Sequence, residues 1–160
     1  MATQLTEKRI QSSLWGTFSS HKYRFVNIRF FNTGEECDFI SFLVSGYCQE
    51  IEIKISRSDF YADFNKPKHK LIKDKKFGNI ANRFYYAVPK DMVTVDEIPS
   101  YAGLIYISEN GFRVDIIRKS PLIHKVKHDY KKAFNKMYYV YEEFMRSFLR
   151  GIYMKQKTLF

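Results

Sequence analysis

The sequence predicts an α/β fold of the α+β kind: a mixed sheet with flanking helices and a long C-terminal helix. Three observations predict it. Apolar residues recur at helical spacing near both ends, six intervening segments read as strands, and a capped helical segment parts the third strand from the fourth. The resulting order is α, β, β, β, α, β, β, β, α. The 160 residues suit one domain, 1–160, with one core.

Residues 4–18 suit a first helix, with Thr6 as cap and Leu5, Ile10, Leu14 and Phe18 in loose helical spacing. Residues 23–31, rich in aromatic and β-branched types, read as a first strand, and Asn32-Thr33-Gly34 as a turn. Cys37 to Val44 reads as the second strand. Cys48 to Ile55 reads as the third, with Ile51, Ile53 and Ile55 alternating with Glu50, Glu52 and Lys54. Ser56 to Asp59 has capping-box spacing, so a helix starts there, carries Phe60 and Phe64, and breaks near Pro67. Residues 65–76 read as loop or frayed helix with six lysines. Residues 83–88 end at Pro89 as a fourth strand, and 103–107 are apolar enough to be buried on both faces. Asn110-Gly111 can turn a hairpin into a sixth strand at 112–118. The last helix runs over roughly 127–150. Its stripe of Tyr130, Phe134, Met137, Tyr138, Tyr141, Phe144, Met145, Phe148 and Leu149 is expected to pack on the sheet, a homodimer interface being the alternative.

The formal net charge of +10 points to a polyanionic partner, nucleic acid (DNA or RNA) being the usual one, with mere solubility or chance attraction to RNA as the alternative. No run reaches the ~18 apolar residues of a membrane helix. Cys37 and Cys48 form no CxxC pair and lie offset in register, so reduced thiols, no disulfide and a cytoplasmic location are expected.

Three residues carry the chemistry. Hydrolysing a phosphodiester calls for a hard cation held by carboxylate oxygens, and an ammonium can position the attacking water. Glu52 and Lys54 are two apart on one strand and share a face. A three-residue hairpin at Val44-Ser45-Gly46 pairs Leu43 with Tyr47 and so sets Asp38 opposite Glu52. A two-residue loop would put Asp38 on the other face. Standing alone, Glu-x-Lys on a strand is most often a solvated ion pair.

Asp38, then Glu52-Ile53-Lys54 after a short hairpin, resembles the Asp…(Asp/Glu)-x-Lys signature of the PD-(D/E)XK nucleases. The run from Glu52 to Asp63, Arg83 to Pro89, and Ala102 to Ile105 resemble segments of MmcB-like DNA-repair endonucleases. The resemblance spans about residues 36–120. It implies a restriction-endonuclease-like αβββαβ core, Mg²⁺ or Mn²⁺, and cleavage of nucleic acid in repair or in processing foreign or mobile DNA. Cys37 replaces the proline of the signature, and residues 65–81 are lysine-rich. Many family members add a glutamate from the first helix, for which Glu7 is the candidate; the alternative is a charge complementing the helix dipole. In this reading Asp38 and Glu52 ligate the metal with the Ile53 carbonyl, and Lys54 orients the water. Ser56 and Arg57 are placed to hold a phosphate, against a plain role in capping and surface charge. Glu50 is a spare or exposed group.

Lys66, Lys68, Lys70 and Arg83 are candidates for a nucleic-acid backbone groove, or else belong to a solvated loop. His124 and His128, four apart, are expected to face solvent. Against a metal-dependent deoxyribonuclease stand two alternatives: a non-catalytic nucleic-acid-binding module on the same fold, and an interaction protein without a nucleic-acid partner.

Overall fold

The computed structural model describes the backbone of residues 5–157 and the side chains of residues 5–147. Helix α1 (Glu7–Thr17) leads into strands β1 (Tyr23–Ile28), β2 (Cys37–Phe42) and β3 (Cys48–Ile53). Helices α2 (Arg57–Asp63) and α3 (Pro67–Lys73) follow, then β4 (Arg83–Pro89), β5 (Ala102–Ile107), β6 (Val114–Arg118) and α4 (Lys131–Lys157). The six strands form one sheet in sequential order. The outer pairs are antiparallel, whereas β3, β4 and β5 run parallel. The fold is therefore a mixed-sheet α+β fold, and α1 to β4 keep the expected α-β-β-β-α-β order with α3 added.

Burial on both faces follows from the connections. Ile10, Leu14 and Phe18, on or just past α1, pack on Phe39, Ile51, Ile53, Tyr85 and Ile105. On the other face, α2 and α3 bring Phe60 and Ile72 to Phe84, Tyr86, Val88 and Leu104. A third cluster gathers Phe25, Phe30, Phe31 and Phe42 beside Ala133. Fully burying one such side chain contributes about 1.5–3 kcal/mol, so the central strands are anchored from both sides.

The β2–β3 turn is the one the site needs. Gly46 takes φ +86, and Leu43 N–H donates to the Tyr47 carbonyl at 2.8 Å. Phe39 then pairs with Ile51 and Ile40 with Glu50, which puts Asp38 level with Glu52. On the other side of β2, the β1 ladder pairs Val26 with Phe39 and Ile28 with Cys37. Between those pairs Asn27 takes φ +52, a conformation asparagine tolerates better than most residues.

Several expectations need correction. The first strand ends at Ile28, not at residue 31. Phe30 and Phe31 instead turn into the core, where Phe30 meets Phe42 edge-on at 5.1 Å. The helix that starts at Arg57 ends at Asp63, ahead of Pro67 as expected, but Pro67 then begins a further helix, because proline at the first helical position gives up only an N–H that has no partner there. The lysine-rich 65–76 stretch is therefore largely ordered. The last helix starts at Lys131, and among the described residues only the start of its apolar stripe packs on the sheet. Phe134 packs on Tyr23 and Phe25 at 4.9 and 5.2 Å, but Met137, Tyr138, Tyr141 and Phe144 are exposed. The side chains of Phe148 and Leu149 lie outside the described residues.

His124 and His128 also depart from expectation, since they sit on an irregular segment and not in solvent. Asn82 pins that segment by donating to the carbonyls of His124 (3.0 Å) and Val126 (2.8 Å). The His124 ring stacks on Phe77 at 5.0 Å, and His128 lies edge-on to Phe31 at 5.5 Å. Burial, and then the neighbouring His124, push the His128 pKa down to about 4. Cys37 and Cys48 are buried free thiols.

Candidate functional site

The strand register sets Asp38 and Glu52 side by side, and Lys54 follows β3 directly. Glu52 is wholly buried. The Lys54 ammonium lies 2.6 Å from Glu52 Oε2 and 3.9 Å from Asp38 Oδ2. Asp38 Oδ2 accepts the Ile53 N–H at 2.8 Å, which locks its carboxylate against the end of β3. The three residues singled out from the sequence thus converge.

The helical crossover completes the cluster. Asp63, at the end of α2, forms ion pairs through Oδ1 with Lys54 (3.2 Å) and Lys66 (2.7 Å). Its Oδ2 is held by His69 Nε2 at 2.9 Å and by the Tyr86 hydroxyl at 2.8 Å, and Tyr101 closes the chain onto His69 Nδ1 at 2.8 Å. Lys66 also reaches Glu52 Oε2 at 3.1 Å. Lys68 is almost fully buried, bonded to Glu50 at 2.6 Å and to Glu52 Oε1. Four carboxylates (Asp38, Glu50, Glu52, Asp63) therefore face three ammonium groups (Lys54, Lys66, Lys68).

The charge is unevenly shared. Burial pushes Glu52 upward, but Lys68, Lys54 and Lys66 outweigh it and hold its pKa below the usual carboxylate value. Burial also works against ionised Asp63, yet the His69 bond and the two lysines keep it well below the usual range. Asp38 is the under-compensated member. Burial and then the Glu52 charge raise it to about 7, and Glu7 adds to the rise. Burial raises Glu50 as well, despite its bond to Lys68.

Glu7 belongs to the rim of this cluster. The Gln11 amide donates to Glu7 Oε1 (3.1 Å), Asn27 Oδ1 (2.6 Å) and the Asp38 carbonyl (3.1 Å), tying α1 to the irregularity in β1. Among the described residues, no three His, Cys, Asp or Glu side chains are grouped as a ready-made ion site. Asp38 is the carboxylate with an oxygen to offer a hard cation: it is half-buried, and burial and the Glu52 charge disfavour its ionised form.

The remaining candidates divide. Lys68 is buried against the carboxylates, which corrects its assignment to a nucleic-acid groove, while Lys66 is paired with Glu52 and Asp63 but keeps part of its side chain exposed. Lys70 stays exposed. Arg83 is half-buried, donates to the Ser120 carbonyl and holds the irregular segment to β4. Ser56 caps α2 by accepting the Asp59 N–H at 3.2 Å. Arg57 is engaged away from the cluster, with the Glu97 carboxylate and the Met92 carbonyl.

Asp63 is the carboxylate that sequence reasoning missed, whereas Glu50, expected as a spare or exposed group, is buried against Lys68. A signal for Asp63 was present: it stands three residues after Phe60 on a short helix, so it shares the inward face, and three before Lys66.

Comparison with protein-family profiles and with curated proteins gives no match. Among solved structures, the chain is similar to a protein of unknown function from Silicibacter pomeroyi. The likeness has a TM-score of 0.58 at 17% identity and covers 91% of each chain. It shows the fold over nearly the whole length. Among the described residues, no helix is long and apolar enough to cross a membrane.

Proposed function

We propose that the protein is a metal-dependent nuclease of the PD-(D/E)XK type acting on DNA. One observation carries the reading: Asp38, Glu52 and Lys54 meet from two paired strands, with Asp38 left short of positive charge. Asp38 and Glu52, with the Ile53 carbonyl, would hold Mg²⁺ or Mn²⁺. Such a cation polarises a phosphate and lowers the pKa of its water. The protein's own part is to place the groups. Lys54, steadied by Asp63, orients the attacking water and offsets charge that develops on the phosphate. His69 and Tyr86 fix Asp63 so that the lysine does not wander. Exposed lysines, among them Lys70, Lys125 and Lys131, supply attraction for the strand.

The test is plasmid nicking in Mg²⁺ by the wild type, Lys54→Ala and Asp38→Ala. The wild type is expected to cut, and each variant to lose at least about 10²-fold in rate. Wild-type protein that binds DNA but cuts no faster than the variants overturns the nuclease.

A second reading is favoured by the saturation of Glu52, whose two oxygens already receive three ammonium groups. A nucleic-acid-binding module that keeps the cluster as a structural ion network gives that outcome: salt-sensitive binding without cleavage.

A further inference from the structure

A second cationic feature lies outside the carboxylate cluster. Between the 29–36 loop, the turn at 77–79 and the start of α4 is a cavity of about 260 Å³. Lys127, Lys132 and Lys136 line it, together with Asn32 and Asn79, and Asp129 is the one acidic residue among the described residues that line it. Lys136 is steadied by its bond to the Phe30 carbonyl at 2.8 Å. His128 also lines the cavity, and its Nε2 is buried without a hydrogen-bond partner. The wall is built into the fold. His128 N–H donates to the Gly46 carbonyl at 2.8 Å, and the Lys127 side chain lies against Gly46, where a Cβ would stand 3.4 Å from it.

We infer that this pocket binds a phosphate group. Three ammonium groups against one carboxylate leave an excess of two positive charges at a concave surface. Lysines act as point charges for phosphate. The volume falls just short of the about 300–1,000 Å³ typical of drug-sized ligands and suits a smaller group. The pocket also adjoins the candidate centre through one loop: the 29–36 loop carries Phe30, Phe31 and Asn32 at the pocket, and its Glu35 accepts the Lys68 N–H at 3.2 Å. A backbone phosphate of a bound strand is the source the location favours, and that choice rests on the nucleic-acid reading above. The pocket chemistry itself does not, and a free mononucleotide offers the same group.

The experiment uses the full chain and a Lys127→Ala/Lys132→Ala double variant. Both lysines are exposed, so the fold is expected to survive, and a Lys132→Arg control keeps the charge. Inorganic phosphate is titrated while amide NMR resonances are followed. Binding of a single-stranded oligonucleotide is measured by anisotropy over a range of salt. Phosphate is expected to shift the Asn79 and His128 resonances in the wild type and in Lys132→Arg, but not in the double variant. A strand source lowers the salt slope of oligonucleotide binding by about 0.7 for each phosphate that the double variant leaves unneutralised. An unchanged slope with the phosphate shifts still abolished supports the pocket and assigns it to a mononucleotide. Absence of phosphate-dependent shifts at these residues in the wild type overturns the inference. Failure of the nuclease reading looks different: the shifts persist while no Mg²⁺-dependent nicking occurs.

Discussion

Replacing Lys68 by methionine tests whether this lysine serves the core or the surface. Lys68 is only 4% exposed, and its ammonium is the cation paired with Glu50. Glu52 keeps Lys54 and Lys66 in the variant, so Glu50 bears the loss. Breaking a buried pair by removing one partner costs about 3–5 kcal/mol. Here protonation sets a ceiling, because Glu50 can become neutral instead of staying charged. From its ordinary value of 4.5, neutralisation at pH 7 costs about 3 kcal/mol, and at pH 5 less than about 1 kcal/mol. The sign follows from the direction of the shift. A carboxyl raised in the folded state favours folding when protonated, and that contribution fades as pH climbs above the unfolded value. Lys68→Met is therefore expected to lose about 3 kcal/mol at pH 7 and much less at pH 5, measured by urea denaturation. Adding Glu50→Gln should restore most of the loss at pH 7. A loss below about 0.5 kcal/mol at pH 7, or one equal at both pH values, places the ammonium in solvent and refutes the argument.

Two further outcomes follow from the geometry. Asp38, raised to about 7, withdraws stability as pH rises from about 4 to 7, so Asp38→Asn should flatten the fall in Tm over that range, and Mg²⁺ at pH 8 should raise the Tm of the wild type but not of the variant. Identical Tm profiles with and without Mg²⁺ would count against Asp38 as a metal ligand. At Gly103 an added Cβ would lie 2.4 Å from the Tyr85 ring and 2.6 Å from Ser120 N. Gly103→Ala should consequently cost at least about 1–3 kcal/mol in thermal denaturation, and a neutral result would mean that β5 and the Ser120 segment are not in close approach.

The sheet was legible because its signals are local. Alternation fixed which residues of β3 share a face, and Gly46 fixed the hairpin register that brings Asp38 to Glu52. The Thr6 and Ser56 caps are read directly from residue type and are found accepting the Arg9 and Asp59 N–H groups. The interior of the site was less legible. Lys66 and Lys68 look like solvated charges because lysine usually is one, and only the pairing of β3 with β4, set by the crossover, shows that they land on buried glutamates. The histidines misled for a similar reason: a basic neighbourhood in sequence says nothing of the Asn82 amide that draws 124–126 inward. The α4 stripe has real helical spacing, but periodicity reports only that one face is apolar, not that the same chain covers it.

Glu52 is neutralised mainly by groups that arrive from elsewhere in the chain: Lys66, just before α3, and Lys68 within it, with Asp63 of α2 bracing Lys54. Fraying of this crossover would strand ionised carboxylates in an apolar interior. The two short helices are consequently held to the sheet by charge as well as by packing. Their opening would cost the ion pairs of the third strand, so the element that looks least regular in composition is tied to the most deeply buried strand.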